Sequence, residues 1–273
     1  LPAYLRREHA FFVGLASDML MTRRSVVVLH DIRPLVMDTD RGFFRFKFWV
    51  HCLSTKWFAQ RVFTVSYDQR QLIHDKLGIP LDKIGVTYNG WEHMAKVQPD
   101  ESIFERMPAV KKGEYFYALG SLAGHKNFKW IREVARRNPD KTFVVAGGKD
   151  LRAFGDDTEA KDTHNVFYPG YVSDAENAAL MKHCRLFLHP AVFEGFGIPP
   201  LEAVACGAKQ ILVSDTPCMR EVYGDCAGYI DLDTNPGNVD DTTPPQADPQ
   251  LLLEKYSWEK SAEKLLGILK EEV

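Results

Sequence analysis

The sequence predicts a doubly wound α/β protein of two domains, because short apolar runs typical of buried strands alternate with segments that suit helices. Residues 25–30, 115–120 and 184–189 are three such runs, and each ends at a glycine or a polar side chain. Parallel strands end in this way where a loop leads into the next helix. A chain of 273 residues is long enough for two domains with ordinary cores.

Composition places the chain among globular proteins, with 45% hydrophobic and 26% charged residues. Its apolar stretches fall well short of the ~20 residues that a membrane-spanning helix needs. Five cysteines are scattered without the spacing of a metal site or a disulfide framework. This pattern suits a reducing compartment, so we expect a cytoplasmic protein.

Charge is distributed unevenly along the chain. Residues 1–61 hold ten Lys and Arg against five Asp and Glu, a net charge of +5, whereas the whole chain carries −3. The remainder therefore carries −8. This asymmetry indicates that one domain faces an anionic surface or substrate. We expect no nucleic-acid partner.

His30 is the first candidate site residue. The β-branched run of residues 25–30 predicts a strand that ends there, because Asp31 and Pro34 follow and a strand does not continue easily through them. Ligands bind at the carboxyl ends of strands in an open α/β sheet. The alternative is a histidine that packs at a strand end without a ligand.

Asp38 and Asp40 form an Asp-x-Asp pair that could be mistaken for a metal site. The pair follows a loop broken by proline, and no third ligand is evident in the sequence. Two acids alone make a poor cage for a hard cation. We therefore expect a solvated loop and no bound metal.

Residues 41–58 are the most aromatic and basic stretch of the chain. A helix here would place Phe44, Phe48 and Cys52 along one face and the arginines along another. The favoured interpretation is a buried helix of the first domain with basic edges. The alternative is peripheral contact with the inner face of an anionic membrane, where aromatic side chains interleaved with Lys and Arg bind well.

Two strands and a helix complete the first domain. Residues 61–66 and 84–88 predict the strands, and Ser66 is placed to cap a helix over residues 67–77. The turn at Asn89 and the polar stretch after it, to about residue 112, predict the link between domains.

We divide the chain into an N-terminal domain, residues 1–95, and a C-terminal domain, residues 96–273. The C-terminal domain begins with the strand at residues 115–120, which leads into a glycine-bearing loop and a helix. Lys126 follows this loop and is well placed to meet a diphosphate, assisted by the helix start. The alternative is a solvated lysine. The spacing is not that of a Walker A loop, so ATP hydrolysis is not predicted.

Residues 189–207 form the most informative stretch, a strand end followed by a glycine loop and a helix start. Gly195 and Gly197 mark the loop, and Pro199 suits the first turn of the helix. Glycines let the backbone approach a ligand closely, and the helix start adds partial positive charge. The combination suits a sugar or a phosphate.

Glu194 and Glu202 frame this loop, with seven residues between them. Eight positions along a helix would separate them by roughly 12 Å. The paired acids of a glycoside hydrolase typically lie about 5 to 9.5 Å apart. We therefore expect these two carboxylates to hold different parts of one elongated ligand, such as a nucleotide-sugar.

The stretch Glu194-Gly-Phe-Gly-Ile-Pro-Pro-Leu-Glu202 resembles the Glu-x7-Glu motif of the family 4 retaining glycosyltransferases. The resemblance implies the GT-B architecture, in which two Rossmann-like domains face each other across a cleft. Tyr88-Asn-Gly90 is similar to the family's sequence at the crossing between domains. Family members carry more residues before the part that corresponds to His30, so the resemblance also implies that the first domain is incomplete.

The resemblance implies roles for individual residues. His30 and Glu194 would contact the donor sugar as catalytic residues, and Glu202 would accept hydrogen bonds from the ribose hydroxyls. The implied donor-binding set is Gly120, Ser121, Lys126, Tyr171, Val172, Gly195, Phe196, Gly197, Leu201 and Glu202. Within it, Tyr171 and Val172 would contact the nucleobase, and the alternative for these two residues is plain packing.

Ser121 departs from the family pattern, which has an arginine on the phosphates at this position. Either His125 compensates for the missing charge or phosphate binding is weaker. The resemblance implies a last amphipathic helix, from about residue 256, that packs back toward the first domain.

The implied activity is that of a retaining, metal-independent hexosyltransferase without a cofactor. It would move a sugar from a nucleoside diphosphate donor to a hydroxyl of a glycan or a lipid-linked acceptor, in polysaccharide or glycolipid biosynthesis. Two alternatives stay open. One is an epimerase or a phosphorylase on the same scaffold, although no lysine for pyridoxal phosphate is identified. The other is a non-catalytic nucleotide-sugar-binding module.

Overall fold

The computed structural model describes residues 2–16, 22–37, 42–120, 123–147, 163–233, 237, 239 and 245–272. The chain divides into two compact units. The first comprises Leu1–Asn89, Glu194–Phe196 and Glu259–Val273, and the second comprises Gly90–Phe193 and Gly197–Trp258.

In its described residues, the first unit has one sheet of four parallel strands in the order β1-β2-β3-β4. The strands are β1 Phe12–Gly14, β2 Ser25–Val28, β3 Arg61–Thr64 and β4 Ile84–Val86. The helices are α1 Pro2–Arg7, α2 Arg33–Val36, α3 Phe43–Phe58 and α4 Tyr67–Leu77, with a 3-10 turn at Leu81–Lys83. Strand β2 is Val-rich and fully buried, and β3 is buried after Arg61, as in parallel sheets whose two faces are both covered.

Helix α4 begins and ends where the sequence predicts. The Ser66 hydroxyl accepts the Gln69 N–H at 3.1 Å, which satisfies one of the amides that a helix start leaves without an internal partner. Gly78 ends the helix in the left-handed conformation, with φ of +63°. Ile73 and Leu77 then pack against Val27 and Val62 in the core.

Helix α3 forms within the predicted residues 41–58. Cys52 is fully buried and Phe48 packs against the same core, so this face lies inward as predicted. Phe44, in the first turn of the helix, is 54% exposed and does not belong to this core cluster. Other aromatic side chains of α3 are also exposed, so the interpretation as a buried helix is wrong for the rest of its surface.

The C-terminal helix, α11 Trp258–Glu272, belongs to the first unit from Glu259 onward. Three of its apolar side chains cover buried residues of β2 and β3: Leu265, Ile268 and Leu269 pack against Val26, Val28 and Phe63.

The described residues of the second unit form a sheet of six parallel strands in the order β10-β9-β8-β5-β6-β7. The strands are β5 Tyr115–Leu119, β6 Thr142–Ala146, β7 Val166–Gly170, β8 Leu186–His189, β9 Ile211–Ser214 and β10 Gly228–Ile230. The helices are α5 Glu92–Ala95, α6 Phe128–Arg137, α7 Asp174–His183, α8 Ile198–Ala205, α9 Pro217–Tyr223 and α10 Leu251–Lys255. The prediction of an α/β protein with two Rossmann-like parallel sheets is therefore confirmed.

The stretch predicted to link the domains, from Asn89 to about residue 112, is almost entirely part of the second unit. It contains α5 and a 3-10 turn at Glu101–Arg106, and both belong to the second unit. Ile103 is fully buried, and the Asp100 N–H donates to the Ala175 carbonyl oxygen at 2.9 Å. The sequence did not predict this packing, because short helices with few apolar residues show little hydrophobic periodicity.

None of the described helices is both long enough and apolar enough to cross a membrane. The five cysteines are free thiols: Cys52, Cys184, Cys206, Cys218 and Cys226.

Candidate active site

The strand order of the second unit creates a switch point between β5 and β8. The chain runs from β5 outward through β6 and β7, and then returns to β8 on the other side of β5. Loops that leave the carboxyl ends of two such strands diverge and open a crevice, where open α/β sheets bind their ligands. Gly120 follows β5 at this edge, and the predicted glycine loop follows β8.

The loops at this edge are packed closely together. The Val192 N–H, after β8, donates to the His125 carbonyl oxygen, after β5, at 2.8 Å. Gly147, after β6, has φ of +110°, and a Cβ there would stand 2.0 Å from the Gly120 carbonyl oxygen. Only glycine fits at position 147, since any side chain would push the loop after β5 away.

Lys126 lies at the end of a 3-10 turn, Gly124–Lys126, directly before α6. Its stem passes over Gly120, where an added Cβ would lie 3.5 Å from Lys126 Cδ. The start of α6 has no side-chain cap and no acid in its first turn. Lys126 and the α6 amides therefore form a positively charged edge beside Gly120. Ser121 lies outside the described residues, and the His125 side chain is buried.

The start of α8 differs from the expected anion site. Gly197 stands before the helix with φ of +78°, a conformation that glycine adopts without strain. Pro199 and Pro200 occupy the first turn and have no N–H to donate, so Gly197 and Ile198 are left to supply its free amides. The Tyr223 hydroxyl donates to the Gly197 carbonyl oxygen and fixes this turn.

Glu202 sits in α8 with its side chain 18% exposed, and it is held from α5. His93 Nε2 lies 2.8 Å from Glu202 Oε1, and the Trp258 indole Nε1 lies 3.2 Å from His93 Nδ1. An indole N–H can only donate, so Nδ1 accepts and the ring proton resides on Nε2. His93 therefore donates to the Glu202 carboxylate and fixes its direction.

Glu92 supports the same cluster. Its carboxylate accepts the Trp91 N–H at 2.9 Å and the Trp258 N–H at 2.8 Å. Gly90 packs so tightly here that an added Cβ would stand 2.2 Å from the Trp258 backbone nitrogen. The sequence prediction missed Glu92, His93 and Trp258, because no local pattern connects positions more than 160 residues apart.

The first unit contains the other part of the motif, Glu194–Phe196. The Ser66 hydroxyl donates to the Gly195 carbonyl oxygen at 2.7 Å, and Gln69 Nε2 lies 3.4 Å from the Glu194 carbonyl oxygen. A Cβ on Gly195 would stand 2.2 Å from the His30 carbonyl oxygen. The His30 backbone thus packs against Gly195, the residue that follows Glu194 in the chain.

The His30 side chain is exposed, and its Nε2 lies 2.7 Å from the Leu15 carbonyl oxygen. A carbonyl oxygen only accepts, so Nε2 carries the proton in this arrangement. The Phe196 ring is buried 6.1 Å from the Tyr88 ring, which anchors the motif after Gly195.

The remaining predicted residues divide into exposed and buried groups. Tyr171 is 71% exposed beyond β7, so its ring is open to a stacking partner. Val172 and Leu201 are buried, which leaves their backbones for any ligand contact. Cys206 is not a candidate nucleophile, because burial, and then the Glu202 charge, raise the pKa of its thiol to about 12.

Metal ligands do not cluster in the part of the chain that the structure describes: no group of three or more His, Cys, Asp or Glu side chains there could hold an ion. The Asp38–Asp40 pair lies outside the described residues.

Curated relatives and solved structures resemble the chain. The O-antigen chain mannosyltransferase RfbU of Salmonella typhimurium is 28% identical over 222 residues, covering 78% of this chain and 58% of RfbU. A serotype-specific mannosyltransferase WbdA of Escherichia coli is 40% identical over 235 residues, covering 80% of this chain and 28% of WbdA. The chain thus spans less than two thirds of either relative.

A crystal structure of HepE from Anabaena, in complex with UDP and glucose, matches the fold with a TM-score of 0.70. The identity is 17%, and the match covers 90% of this chain and 71% of HepE. A model of the family described as glycosyl transferases group 1 matches residues 99–272. Because residues 99–272 are well over half of this chain, the chain belongs to the group 1 glycosyl transferases.

Proposed function

We propose that this chain carries the donor site of a retaining glycosyltransferase. The reaction moves a hexose from a nucleoside diphosphate sugar to a hydroxyl of a glycan or lipid-linked acceptor in polysaccharide biosynthesis. The observation that carries this proposal is the second unit's switch point, where Lys126 and the glycine loops meet one edge of the sheet. The oriented Glu202 carboxylate lies in the helix that follows one of these loops.

The donor's parts are assigned by chemistry. The diphosphate is bound by the Lys126 ammonium, the first amides of α6 and the amides around Gly197, which together supply positive charge and N–H donors. The ribose hydroxyls donate to Glu202, the acceptor that His93 holds in place. The nucleobase stacks on Tyr171, whose ring is open to it.

Transfer breaks the bond between the sugar's anomeric carbon and the oxygen of the terminal phosphate. The acceptor hydroxyl oxygen forms the new bond on the same face, and its proton passes to the departing phosphate oxygen. Charge develops on the diphosphate as the bond breaks, so Lys126 and the loop amides stabilise the transition state. His30 and Glu194 hold the sugar, no covalent nucleophile is needed, and no metal takes part.

Mannose is the first sugar to test. RfbU and WbdA are both mannosyltransferases, and WbdA is 40% identical over the matched region. This support concerns relatives that are longer than the chain, so the sugar, the acceptor and the linkage are all proposals.

Binding of UDP, GDP and dTDP, and of their sugars, tests the donor site by thermal shift. Saturation at 100 times the dissociation constant adds about 2.7 kcal/mol, or roughly 2 to 4 °C at this size. We expect one base to be preferred, and Glu202→Ala to reduce the preference for ribose over deoxyribose. Folded protein that responds to no nucleotide would contradict the proposal.

Measurement of product formation distinguishes glycosyl transfer from epimerisation and from binding without catalysis. Incubation with the preferred donor and lipid-linked or oligosaccharide acceptors should give a glycoside whose anomeric configuration, read by NMR, equals that of the donor. Release of a rearranged nucleotide-sugar without an acceptor would show an epimerase. Tight donor binding without turnover, in a protein extended to the length of its relatives, would show a binding module.

A further inference from the structure

The outward surface of α3 carries large apolar side chains that remain open to solvent. Phe43 is 79% exposed and Trp57 is 70% exposed, and Phe46, Trp49 and Val50 are each at least 38% exposed. Leaving one such side chain on the surface is ordinary, but with Phe44 this helix of 16 residues exposes six of them.

Four of these side chains share one face of the helix with the half-buried Leu53. Phe46, Trp49, Val50, Leu53 and Trp57 stand at positions i, i+3, i+4, i+7 and i+11. We name this set the outer stripe. His51, Cys52 and Thr55 lie on the opposite face and are buried. The helix therefore has two apolar faces, and the core of the first unit uses only one of them.

Positive charge borders the outer stripe on both sides. Arg45 and Lys56 lie along one flank of the helix and Lys47 lies along the other, as their spacing dictates. Residues 41–67 contain five Lys and Arg and no Asp or Glu. A groove of about 420 Å³ opens beside the stripe, and Arg45, Phe46, Trp49 and Lys76 are among its lining residues.

We propose that the outer stripe of α3 docks on the surface of an anionic lipid bilayer. The aromatic rings enter the boundary between headgroups and acyl chains, and the flanking cations contact lipid phosphates. Charge complementarity favours this occupant over a second copy of the chain, because two copies would bring like-charged flanks together. This docking is independent of the proposed glycosyl transfer and is measured without it.

Vesicle sedimentation tests the proposal directly. The parent chain is mixed with vesicles of phosphatidylcholine alone, or of phosphatidylcholine with phosphatidylglycerol. We expect binding to the anionic vesicles and little to the neutral ones. The double variant Phe46→Ser with Trp57→Ser should bind at least about ten-fold more weakly, because two exposed aromatic side chains are removed. The matched control Leu266→Ser alters an exposed apolar residue of α11 and should bind like the parent.

A charge variant and a depth measurement complete the test. Lys47→Glu should weaken binding by more than the roughly five-fold expected for losing one cation. Acyl chains that carry bromine should quench the fluorescence of Trp49 and Trp57 in the parent. Circular dichroism and thermal unfolding confirm that each variant is folded.

Three outcomes would overturn the proposal. Parent protein that stays in the supernatant with anionic vesicles would contradict membrane docking. Equal binding by the parent and the double aromatic variant would show that charge alone is responsible and that the stripe does not insert. A parent dimer in sedimentation velocity, dissociated by the same double variant, would instead assign the stripe to self-association.

Discussion

His93 Nε2 lies 2.8 Å from Glu202 Oε1, so the residue proposed to bind ribose is held by a donor from another helix of the same unit. We expect His93→Ala to lower nucleotide affinity about three- to ten-fold, because the Glu202 carboxylate loses its orientation. The maximal rate should change little, since ribose binding is the same before and during transfer. Titration calorimetry with a nucleoside diphosphate and its 2′-deoxy analogue measures the effect.

Trp258→Phe is the matched variant for this bond. It keeps an aromatic ring beside His93 but removes the indole N–H that fixes the histidine tautomer. A loss smaller than that of His93→Ala is expected. Tighter binding by His93→Ala would contradict the positioning role, because it would show that His93 occupies the place of the ribose.

Lys126→Ala should weaken nucleoside diphosphate binding by about ten-fold, because a charge-assisted hydrogen bond to phosphate is lost. Lys126→Arg keeps the charge and should retain most of the affinity. Lys129→Ala is the control, since Lys129 is an exposed lysine in the first turn of α6. Equal losses in Lys126→Ala and Lys129→Ala would show a general electrostatic effect in place of a specific contact.

Gly147→Ala should destabilise the second unit more than Gly113→Ala, although both glycines have positive φ. Alanine at position 113 meets nothing within 4 Å, so only backbone strain of about 1 kcal/mol is expected. At position 147 the same strain is joined by collision with the Gly120 carbonyl oxygen, so about 3 kcal/mol is expected. Urea unfolding measures both, and equal losses would contradict the close packing of these loops.

Glu101→Gln should make stability less dependent on acid pH. The Lys112 ammonium, and then His183, hold the pKa of Glu101 at about 2, below its ordinary 4.5. The ionised Glu101 carboxylate therefore stabilises the folded state above pH 4.5. This stabilisation is lost as the pH falls toward 2 and the carboxylate becomes protonated. The parent should therefore exceed Glu101→Gln in unfolding free energy above pH 4.5 and approach it near pH 2. Glu105→Gln is the control, and a constant difference at all pH values would contradict the prediction.

The sequence predicted the strands and the capped helix α4 well, because their signals are local. Alternating buried runs, the Ser66 cap and the glycine loop after β8 each lie within a few consecutive residues. The His93 and Glu202 pair could not be predicted, since its partners are 109 residues apart and lie in helices of ordinary composition. Pro199 and Pro200 lie at a helix start as predicted, but they lack an N–H, so this start offers an anion only the Gly197 and Ile198 amides.

Helix α3 shows a second reason why the sequence does not predict every buried surface. Its sequence contains two apolar faces, and periodicity alone does not tell which one meets the core. The buried Cys52 identifies the inner face, and it was predicted. The favoured interpretation, a buried helix with basic edges, does not account for the exposed aromatic residues of the outer stripe.

Docking of the outer stripe on a bilayer would confine the protein's search for its acceptor to two dimensions instead of three. A chain that rests on a bilayer meets a lipid-linked substrate by lateral diffusion, so surface density replaces bulk concentration as the quantity that limits the rate. Adding inert lipid at constant substrate would then slow the reaction by diluting both partners across a larger area. The soluble donor would be unaffected, because it arrives from the aqueous side.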